Sequence, residues 1–380
     1  MKKIGILTST PSFVSNYGAI LQAYALQTQL KKIGCLPQII KYADDNEYIK
    51  GRMPLKQRIM SSIFSKNLSL YAKRKLIINK ILNRSVIPKF KEFQINNIDF
   101  YNKEYIDYEE LKMIANEFYA FIVGSDQVWN PIVHHGVNDP GYFLQFVPSG
   151  IKRIAYAPSM GVNKLPKECL DTLHDFLVSF DSISIREETG RKIILDNCGI
   201  DVQVVVDPTL LLSQKDYNNI RNVSICPQIP YLVYYKFGRI SEIDYIVKKI
   251  AKINNYKIVC IPAGLETKFT ADYNIGPREF IGLISNADLI CTDSFHATVF
   301  SIIYNRPFIA FCRDRENKDQ PNMNSRITNL LNMLKLNNCW LGTGELIDYY
   351  NLPKPNYDIA NDLLYKRSEE GKKFLIDSID

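Results

Sequence analysis

A single histidine lies in the first turn of a predicted helix, directly after a predicted buried strand. The segment reads Thr292-Asp293-Ser294-Phe295-His296. Ser294 is a good N-cap residue, and the first turn of a capped helix presents backbone N–H groups and a positive dipole end, which suit phosphate. An imidazole at this place can donate a hydrogen bond or a proton near neutral pH. A structural histidine in an apolar stretch is the competing interpretation, and the two are about equally favoured.

An arginine follows another predicted strand, in the segment Ser182–Ile185, Arg186, Glu187, Glu188. A guanidinium at a strand end can hold a carboxylate through two parallel hydrogen bonds. The competing interpretation is a surface arginine paired with Glu187 or Glu188, and the spacing alone slightly favours that interpretation.

A polar loop follows the predicted strand Ala120–Val123. Its residues Ser125, Asp126 and Gln127 suit sugar hydroxyls, and Trp129 is placed to stack on a sugar ring. The alternative is a local turn stabilised by its own side chains, with Trp129 in the core. Sugar binding and turn formation both remain open at this point.

A second candidate loop precedes the first long helix and contains Asn16, Tyr17 and Gly18. It can contact a ligand through backbone N–H groups or the tyrosine hydroxyl, and the alternative is ordinary capping by Asn16. The loop lacks the Gly-x-Gly-x-x-Gly pattern, so a dinucleotide is not indicated. The adjacent pair His134-His135 is weak evidence for a metal, because neighbouring side chains point apart, and no metal or cofactor is predicted.

Strands alternate with helices along the chain, which predicts parallel sheets. The first series of predicted strands is Lys3–Thr8, Gln38–Tyr42, Ala120–Val123, Arg153–Ala157, Ser182–Ile185 and Val202–Val206. The second series is Tyr231–Tyr235, Lys257–Ile261, Leu289–Thr292 and Pro307–Phe311. We therefore expect an α/β protein with two Rossmann-like domains facing a cleft, where ligands bind at the carboxyl ends of the strands.

The proline-containing stretch Asp207–Pro230 is the predicted junction. It separates a first domain, residues 1–212, from a second domain, residues 225–340. The last segment, residues 341–380, has a weak pattern and is expected to return to the first domain.

The composition is that of a globular protein, with 46% hydrophobic and 23% charged residues, and no apolar run approaches the roughly 18 residues of a membrane helix. The net charge of +7 is local, because residues 51–91 contain eleven Lys or Arg and no acidic residue. This segment also has an amphipathic pattern. It predicts either peripheral contact with a membrane or anionic lipid-linked substrate, or a helical insertion with a solvated basic face. The eight cysteines are scattered, and the expected location is the cytoplasm.

Taken together, several stretches resemble the polysaccharide pyruvyl transferase family. They are Asn16–Leu26, Gly124–Pro131, Ser184–Glu188, Val206–Leu211, Thr292–His296 and Asn324–Ile327. They occur in the order of the family and cover roughly residues 3–340. Ala297 stands where the family often has glycine, and residues 51–91 contain no stretch that resembles the family.

The resemblance implies a fold like that of GT-B glycosyltransferases, phosphoenolpyruvate as donor and a sugar, often lipid-linked, as acceptor. By position, His296 matches the essential histidine of the family and Arg186 its donor-binding arginine. The remaining predicted donor-binding residues are Asp293, Ser294, Phe295 and Arg326. The predicted acceptor-binding residues are Asn16, Tyr17, Gly18, Ser125, Asp126 and Gln127.

Two other functions fit the same pattern. A GT-B glycosyltransferase that uses a nucleotide sugar would share the fold and the phosphate site, and a non-catalytic module could bind anionic glycolipid. For pyruvyl transfer, Asp126 and Asp293 are both candidates for the base that accepts the proton of the attacking hydroxyl. No nucleic-acid partner is predicted.

Overall fold

The computed structural model describes residues 1–9, 16–42, 86–102, 106–134, 138–238, 240–261, 269, 274–313, 324–342, 344–345 and 347–380. Most of the basic amphipathic segment predicted over residues 51–91 therefore lies outside the described residues. Lys89 is described, and its ammonium group donates to the Asn274 carbonyl oxygen at 2.7 Å and lies 3.1 Å from the Glu279 carboxylate.

The first sheet has six parallel strands in the order β2-β1-β3-β4-β5-β6. Its strands are β1 Lys3–Leu7, β2 Leu36–Ile40, β3 Ala120–Val123, β4 Lys152–Ala155, β5 Ser182–Ile185 and β6 Gln203–Val204. β4 ends earlier than predicted because Ala157 has a φ of 51°, outside the extended region.

The second sheet has five parallel strands in the order β11-β10-β9-β7-β8. Its strands are β7 Tyr231–Tyr235, β8 Lys257–Cys260, β9 Leu289–Thr292, β10 Phe308–Phe311 and β11 Trp340–Leu341. β7, β9 and β10 are buried at every position, as expected for parallel strands covered on both faces. The predicted α/β fold with two parallel sheets is confirmed.

Helices connect and cover the strands of both sheets. They are α1 Tyr17–Lys32, α2 over residues 86–97, α3 Tyr108–Ile114, α4 Lys167–Leu177, α5 Glu188–Cys198, α6 Gln214–Asn218, α7 Ser241–Ile253, α8 Pro277–Asn286, α9 Phe295–Ile303, α10 Ser325–Leu334 and α11 Tyr357–Ile379. Short 3₁₀ helices occupy Ala115–Glu117, Pro208–Leu211 and Asn337–Cys339. None of the helices in the described ranges has both the length and the hydropathy needed to cross a bilayer.

The two sheets share one apolar core through α1 and α8. The fully buried ring of Tyr17 stacks on Phe280 with 4.6 Å between centroids, and its hydroxyl donates to the Ile275 carbonyl oxygen at 2.8 Å. At the other end of the chain, Lys2 Nζ donates to the Ile379 carbonyl oxygen at 2.8 Å. The C-terminal helix therefore ends beside the first strand of the first sheet.

Candidate active site

Arg186 and His296 come from different sheets and meet at one carboxylate. Arg186 follows β5, His296 is the second residue of α9, and their exposed fractions are 8% and 7%. Arg186 Nη1 lies 2.8 Å from Asp207 Oδ2, and His296 Nε2 lies 3.7 Å from the same oxygen. The two residues predicted to be catalytic are thus neighbours.

Asp207 lies between β6 and the 3₁₀ helix Pro208–Leu211 and is almost fully buried. Its Oδ1 accepts from the Thr209 backbone N–H at 3.0 Å and from the Thr209 hydroxyl at 2.6 Å. Burial alone would raise the pKa of this carboxyl, but His296, Arg186 and Thr209 together hold the pKa well below its usual range. Asp207 is therefore an anion at any working pH and a fixed support for both neighbours.

Two other carboxylates approach the Arg186 guanidinium. Glu187 Oε2 lies 3.7 Å from Nε, and Asp126 Oδ1 lies 3.8 Å from Nη1. Burial would lower the pKa of Arg186, but Asp207, Glu187 and Asp126 outweigh it and raise the pKa. The interpretation of Arg186 as a surface residue is wrong, because the side chain is buried with Phe295 stacked 4.6 Å from its central carbon.

Arg186 keeps one edge of its guanidinium without a hydrogen bond. Nε and Nη2 are buried and have no hydrogen-bond partner among the described residues, while Nη1 is bonded to Asp207. The Nε–Nη2 edge is one of the two edges that bind a carboxylate with parallel hydrogen bonds. This edge can form hydrogen bonds to a planar anion, although Glu187 Oε2 already lies 3.7 Å from Nε.

Arg326, near the start of α10, is the second buried guanidinium. Its Nε also has no hydrogen-bond partner within the described ranges. Burial lowers the pKa of Arg326 to about 9, and the positive charges of Arg186 and Arg313 add to this shift against the weaker attraction of Asp126 and Glu187. Positive charge is therefore in excess around Arg326, as a binding site for an anion requires.

Ser294 caps α9 as predicted, with Oγ accepting from the Ala297 backbone N–H at 3.4 Å. The N–H groups of Phe295 and His296 are in the first turn, where no carbonyl within the helix can bind them. The Asp293 carboxylate is already engaged, because it accepts from the backbone N–H groups of Phe237 at 2.8 Å and Gly238 at 2.6 Å. Burial raises the pKa of this carboxyl. In the described contacts Asp293 holds the loop after β7.

The N-cap and first turn of α1, where the sequence predicted a loop, face the second sheet. Asn16 caps α1 by accepting from the Ala19 backbone N–H at 3.1 Å, and Tyr17 is buried with its hydroxyl bonded to Ile275. Gly18 lies against the ring of His296, since a Cβ on Gly18 would overlap Nδ1. Tyr17 and Gly18 are buried, whereas Asn16 is half-exposed.

The loop after β3 contacts Asp207 through the side chain of Ser125. Ser125 is fully buried, and its Oγ lies 2.7 Å from the Ala157 carbonyl oxygen and 3.2 Å from Asp207 Oδ2. Gln127 is half-buried and accepts from the Asn130 side chain at 2.6 Å. Of the loop residues predicted to bind the acceptor, Asp126 is the one that approaches Arg186.

Trp129 belongs to the core. Its indole N–H donates to the Tyr142 carbonyl oxygen at 2.9 Å, and its ring stacks on Phe143 with 4.7 Å between centroids. The core interpretation of this residue is confirmed, and its ring is not available to stack on a sugar.

A cavity of about 750 Å³ adjoins the guanidinium groups. Arg186, Asp207, Phe295 and Arg326 line one part of it, and residues 201–206 in and around β6, with residues of α5, α10 and α11, line much of the rest. A ligand of small-molecule size has room between the two sheets at this place.

A family model described as "Polysaccharide pyruvyl transferase" matches residues 16–315, most of the chain. This protein belongs to the polysaccharide pyruvyl transferase family. No curated protein is similar in sequence to the chain.

Several solved structures have a similar chain course over nearly their whole length. The UDP-GlcNAc 2-epimerase of Neisseria meningitidis is 11% identical, with 100% of this chain and 99% of that chain covered and a TM-score of 0.47. S. aureus TarM is 10% identical, with 100% and 97% covered and a TM-score of 0.46. The UDP-GlcNAc 2-epimerase of Methanocaldococcus jannaschii is 14% identical, with 96% and 100% covered and a TM-score of 0.46. Similarity at this level shows neither the substrate nor the reaction.

Sequence reasoning did not assign a role to Asp207 or Gln22, although both lie in stretches that resemble this transferase family. Gln22, on α1, accepts from the Ser125 backbone N–H at 3.2 Å and donates to the Thr8 hydroxyl at 2.7 Å. The available signal was a carboxylate after a short predicted strand and an amide among the apolar residues of a predicted helix. Neither signal indicates which distant residues these side chains contact.

Proposed function

We propose that this transferase moves pyruvate from phosphoenolpyruvate onto a sugar of a surface polysaccharide, or of its lipid-linked precursor, as a cyclic ketal. The observation that carries the proposal is the meeting of Arg186 and His296 at Asp207 Oδ2, beside guanidinium atoms that lack a partner among the described residues. Membership of the family supports a saccharide acceptor.

The donor is an anion with a carboxylate, a phosphate and an electron-rich methylene. The Nε–Nη2 edge of Arg186 holds the carboxylate through two hydrogen bonds. The first turn of α9 at Ser294, with the excess positive charge of Arg326, holds the phosphate. Phe295 stacks on Arg186 and covers the guanidinium from water.

The reaction adds one proton to carbon and releases phosphate. His296 donates a proton to the methylene, and a sugar hydroxyl bonds to the adjacent carbon and loses its proton to a base. The bond between this carbon and the phosphate oxygen then breaks, inorganic phosphate leaves with a proton, and the second hydroxyl closes the ring as it loses its own. A positioned acid contributes about 10²–10⁴ to the rate.

Asp126 is the better-placed candidate for the base. Its carboxylate lies 3.8 Å from Arg186, whereas the Asp293 carboxylate is taken up by two backbone N–H groups. The acceptor then reaches the donor from the side of the first turn of α1 and of the loop after β3. Its contacts with Asn16, Tyr17, Gly18, Ser125 and Gln127 require small movements that expose the buried members of this set. No cofactor takes part in this scheme.

The test is to incubate the purified protein with phosphoenolpyruvate and a panel of aryl glycosides, in parallel with nucleotide sugars. We expect phosphate release that depends on a glycoside, and a mass gain of the glycoside equal to pyruvate less one water. His296→Gln should fold normally and lose turnover. A hexose-sized mass gain from a nucleotide sugar would instead establish a glycosyltransferase, and absence of turnover with every donor would support a binding module.

A further inference from the structure

Glu187, which follows Arg186 after β5, is 2% exposed, and its two carboxylate oxygens have different surroundings. Oε1 accepts from the Ser159 hydroxyl and the Met160 backbone N–H at 2.9 Å each, and from the Gly161 backbone N–H at 3.2 Å. Oε2 is buried and has no hydrogen-bond partner among the described residues, and the 3.7 Å between it and Arg186 Nε is too long for a hydrogen bond. A buried carboxylate oxygen in this state is costly, so it indicates that a ligand supplies the donor.

The turn that holds Oε1 is also bonded to the loop after β3. The Ser159 backbone N–H donates to the Asp126 carbonyl oxygen at 2.8 Å. The carboxylates of Glu187 and Asp126 approach the same Arg186 guanidinium, at 3.7 Å and 3.8 Å. Glu187 is therefore on the side from which the acceptor reaches the donor in the proposed reaction.

Arg186 and Glu187 both line the cavity of about 750 Å³ that adjoins the site. This volume is in the range of roughly 300–1,000 Å³ that is typical of sites for drug-sized ligands, and phosphoenolpyruvate is much smaller than such ligands. A donor held at Arg186 and Arg326 therefore leaves room in the cavity for a second ligand.

The part of the cavity beyond the guanidinium groups has the composition of a saccharide site. Three amide side chains line it: Gln203 on β6, and Asn329 and Asn332 on α10. Leu330 and Met333 add apolar surface beside these amides. Amides both donate to and accept from sugar hydroxyls, and apolar surface can cover the C–H groups of a sugar ring.

The charged residues of this outer part are paired with one another. Arg191 donates to Asp201 through Nε at 2.7 Å and Nη2 at 3.0 Å, and to Glu188 through Nη1 at 2.7 Å. Arg367 Nη1 lies 2.9 Å from Glu370 Oε2. A diphosphate here would meet two arginines that already have partners and three carboxylates that repel it, whereas an uncharged sugar meets no such repulsion. The outer part therefore favours a neutral saccharide over a nucleotide.

We propose that Glu187 binds a hydroxyl of the reacting sugar through Oε2, and that the outer part of the cavity binds the next, uncharged sugar unit of the acceptor. This inference rests on the proposed function and specifies its acceptor as a saccharide of at least two units. Glu187 is a binding residue in this scheme, and Asp126 stays the candidate for the base.

Glu187→Gln keeps the shape of the side chain and an oxygen for the three donors at Oε1, and replaces Oε2 with an NH₂ group. We expect the KM for the best aryl glycoside to rise by about 10–100-fold, as for loss of a hydrogen bond to a charged group. The KM for phosphoenolpyruvate should stay the same or fall, because a negative charge near the donor carboxylate has been removed.

The control for this change is Glu168→Gln, which neutralises an exposed carboxylate on α4 and should match the wild type. An unchanged KM for the glycoside in Glu187→Gln would contradict the proposal. A rise in the KM values of both substrates would also contradict it, because a purely structural role of Glu187 predicts that result.

The outer part of the cavity predicts a preference for longer acceptors. The methyl glycoside of the preferred sugar is compared with the methyl disaccharide that has one more hexose at the reducing end. We expect kcat/KM to be about 10-fold higher for the disaccharide, the scale of one or two added hydrogen bonds. A ratio near one in the wild type would overturn the assignment of the outer part.

Asn332→Trp places a large side chain at an exposed position of the cavity wall. We expect it to bring the ratio of the two kcat/KM values close to one. Lys252→Trp, at an exposed position of α7 outside the cavity lining, is the control and should keep the wild-type ratio. Equal ratios in Asn332→Trp and the wild type would show that the second sugar binds elsewhere.

Binding without a donor separates this inference from the proposed function. Saturation-transfer NMR can record contact of the protein with the methyl glycosides of lactose, maltose, cellobiose and chitobiose in the absence of phosphoenolpyruvate. We expect transfer to at least one of them, weaker in Glu187→Gln and Asn332→Trp, and no displacement by UDP. If this binding occurs without turnover, the proposed reaction is wrong and the saccharide site stands. If phosphoenolpyruvate gives turnover but no disaccharide binds, or if UDP displaces the disaccharide, the saccharide site is wrong.

Discussion

The site contains two buried arginines, Arg186 and Arg326, and the charges that surround them differ. Carboxylates dominate around Arg186, and other arginines dominate around Arg326. Arg186, at the edge of the first sheet, has three carboxylates within 4 Å, and its pKa is raised. Arg326, near the start of α10, is close to Arg186 and Arg313, and burial with this repulsion lowers its pKa to about 9. The charge of Arg186 is balanced by its neighbours, and that of Arg326 is not.

From this difference we infer that the two arginines have different roles. Arg186 holds the site together, and Arg326 contributes to binding the donor. A buried ion pair leaves an uncompensated charge when one partner is removed, so Arg186 is needed by the fold as well as by the ligand. A buried cation whose repulsion outweighs the attraction of its neighbours destabilises the folded state until an anion arrives. We infer that Arg326 contributes mainly to binding and costs stability in the free protein.

The largest effect should come from Arg186→Gln. We expect turnover to fall by at least about 10²–10³, the cost of losing a positioned donor. The free energy of unfolding should fall by about 3–5 kcal/mol, because Asp207 stays buried with less compensation. Phosphate release and urea denaturation give the two numbers. Arg186→Lys is the control, and it should recover more stability than turnover since an ammonium cannot form the planar fork. Unchanged stability in Arg186→Gln would contradict the comparison.

Arg326→Gln should weaken donor binding and leave the fold intact. We expect the KM for phosphoenolpyruvate to rise by about 10–100-fold, as for loss of a hydrogen bond to a charged group. The free energy of unfolding should stay the same or rise, because a repelled charge has been removed. Steady-state kinetics and denaturation measure both. A loss of stability as large as in Arg186→Gln would show that neighbouring carboxylates do balance the positive charge of Arg326.

An anion bound at Arg326 should stabilise the wild-type protein. With inorganic phosphate at a hundred times its Kd, linkage predicts about 2.7 kcal/mol of added stability, visible as a rise in Tm. The rise should be much smaller in Arg326→Gln. Sodium chloride at equal ionic strength is the control for general screening. An equal rise in both proteins would place the bound anion elsewhere.

The smallest effect concerns the contact between the sheets. Tyr17→Phe removes the hydroxyl that donates to the Ile275 carbonyl oxygen and keeps the ring stacked on Phe280. We expect a loss of about 1 kcal/mol in unfolding free energy and nearly normal kcat. A large loss of kcat with normal stability would mean that this hydroxyl contacts the acceptor, as the sequence suggested.

The strand ends and the cap of α9 were predictable because they depend on neighbours in the sequence. The buried strand before Asp293, the N-cap at Ser294 and the alternation of strands and helices are local patterns, and the structure has all three. Stretches that resemble the family also made His296 and Arg186 candidates on the strength of the sequence alone. The exact strand limits were less predictable, as the positive φ of Ala157 illustrates.

The sequence by itself determined which residues follow the strands of two parallel sheets, because periodicity and capping act over a few residues. Only the tertiary structure decided that Arg186 is buried and bonded to a carboxylate 21 positions away, and that Gly18 and His296 touch although they are far apart along the chain. Contacts of that kind arise when two separate sheets pack together, and the charge that each side chain then meets depends on partners that no local pattern specifies. The residue types could therefore be read from the chain, while their pairing at Asp207 could not.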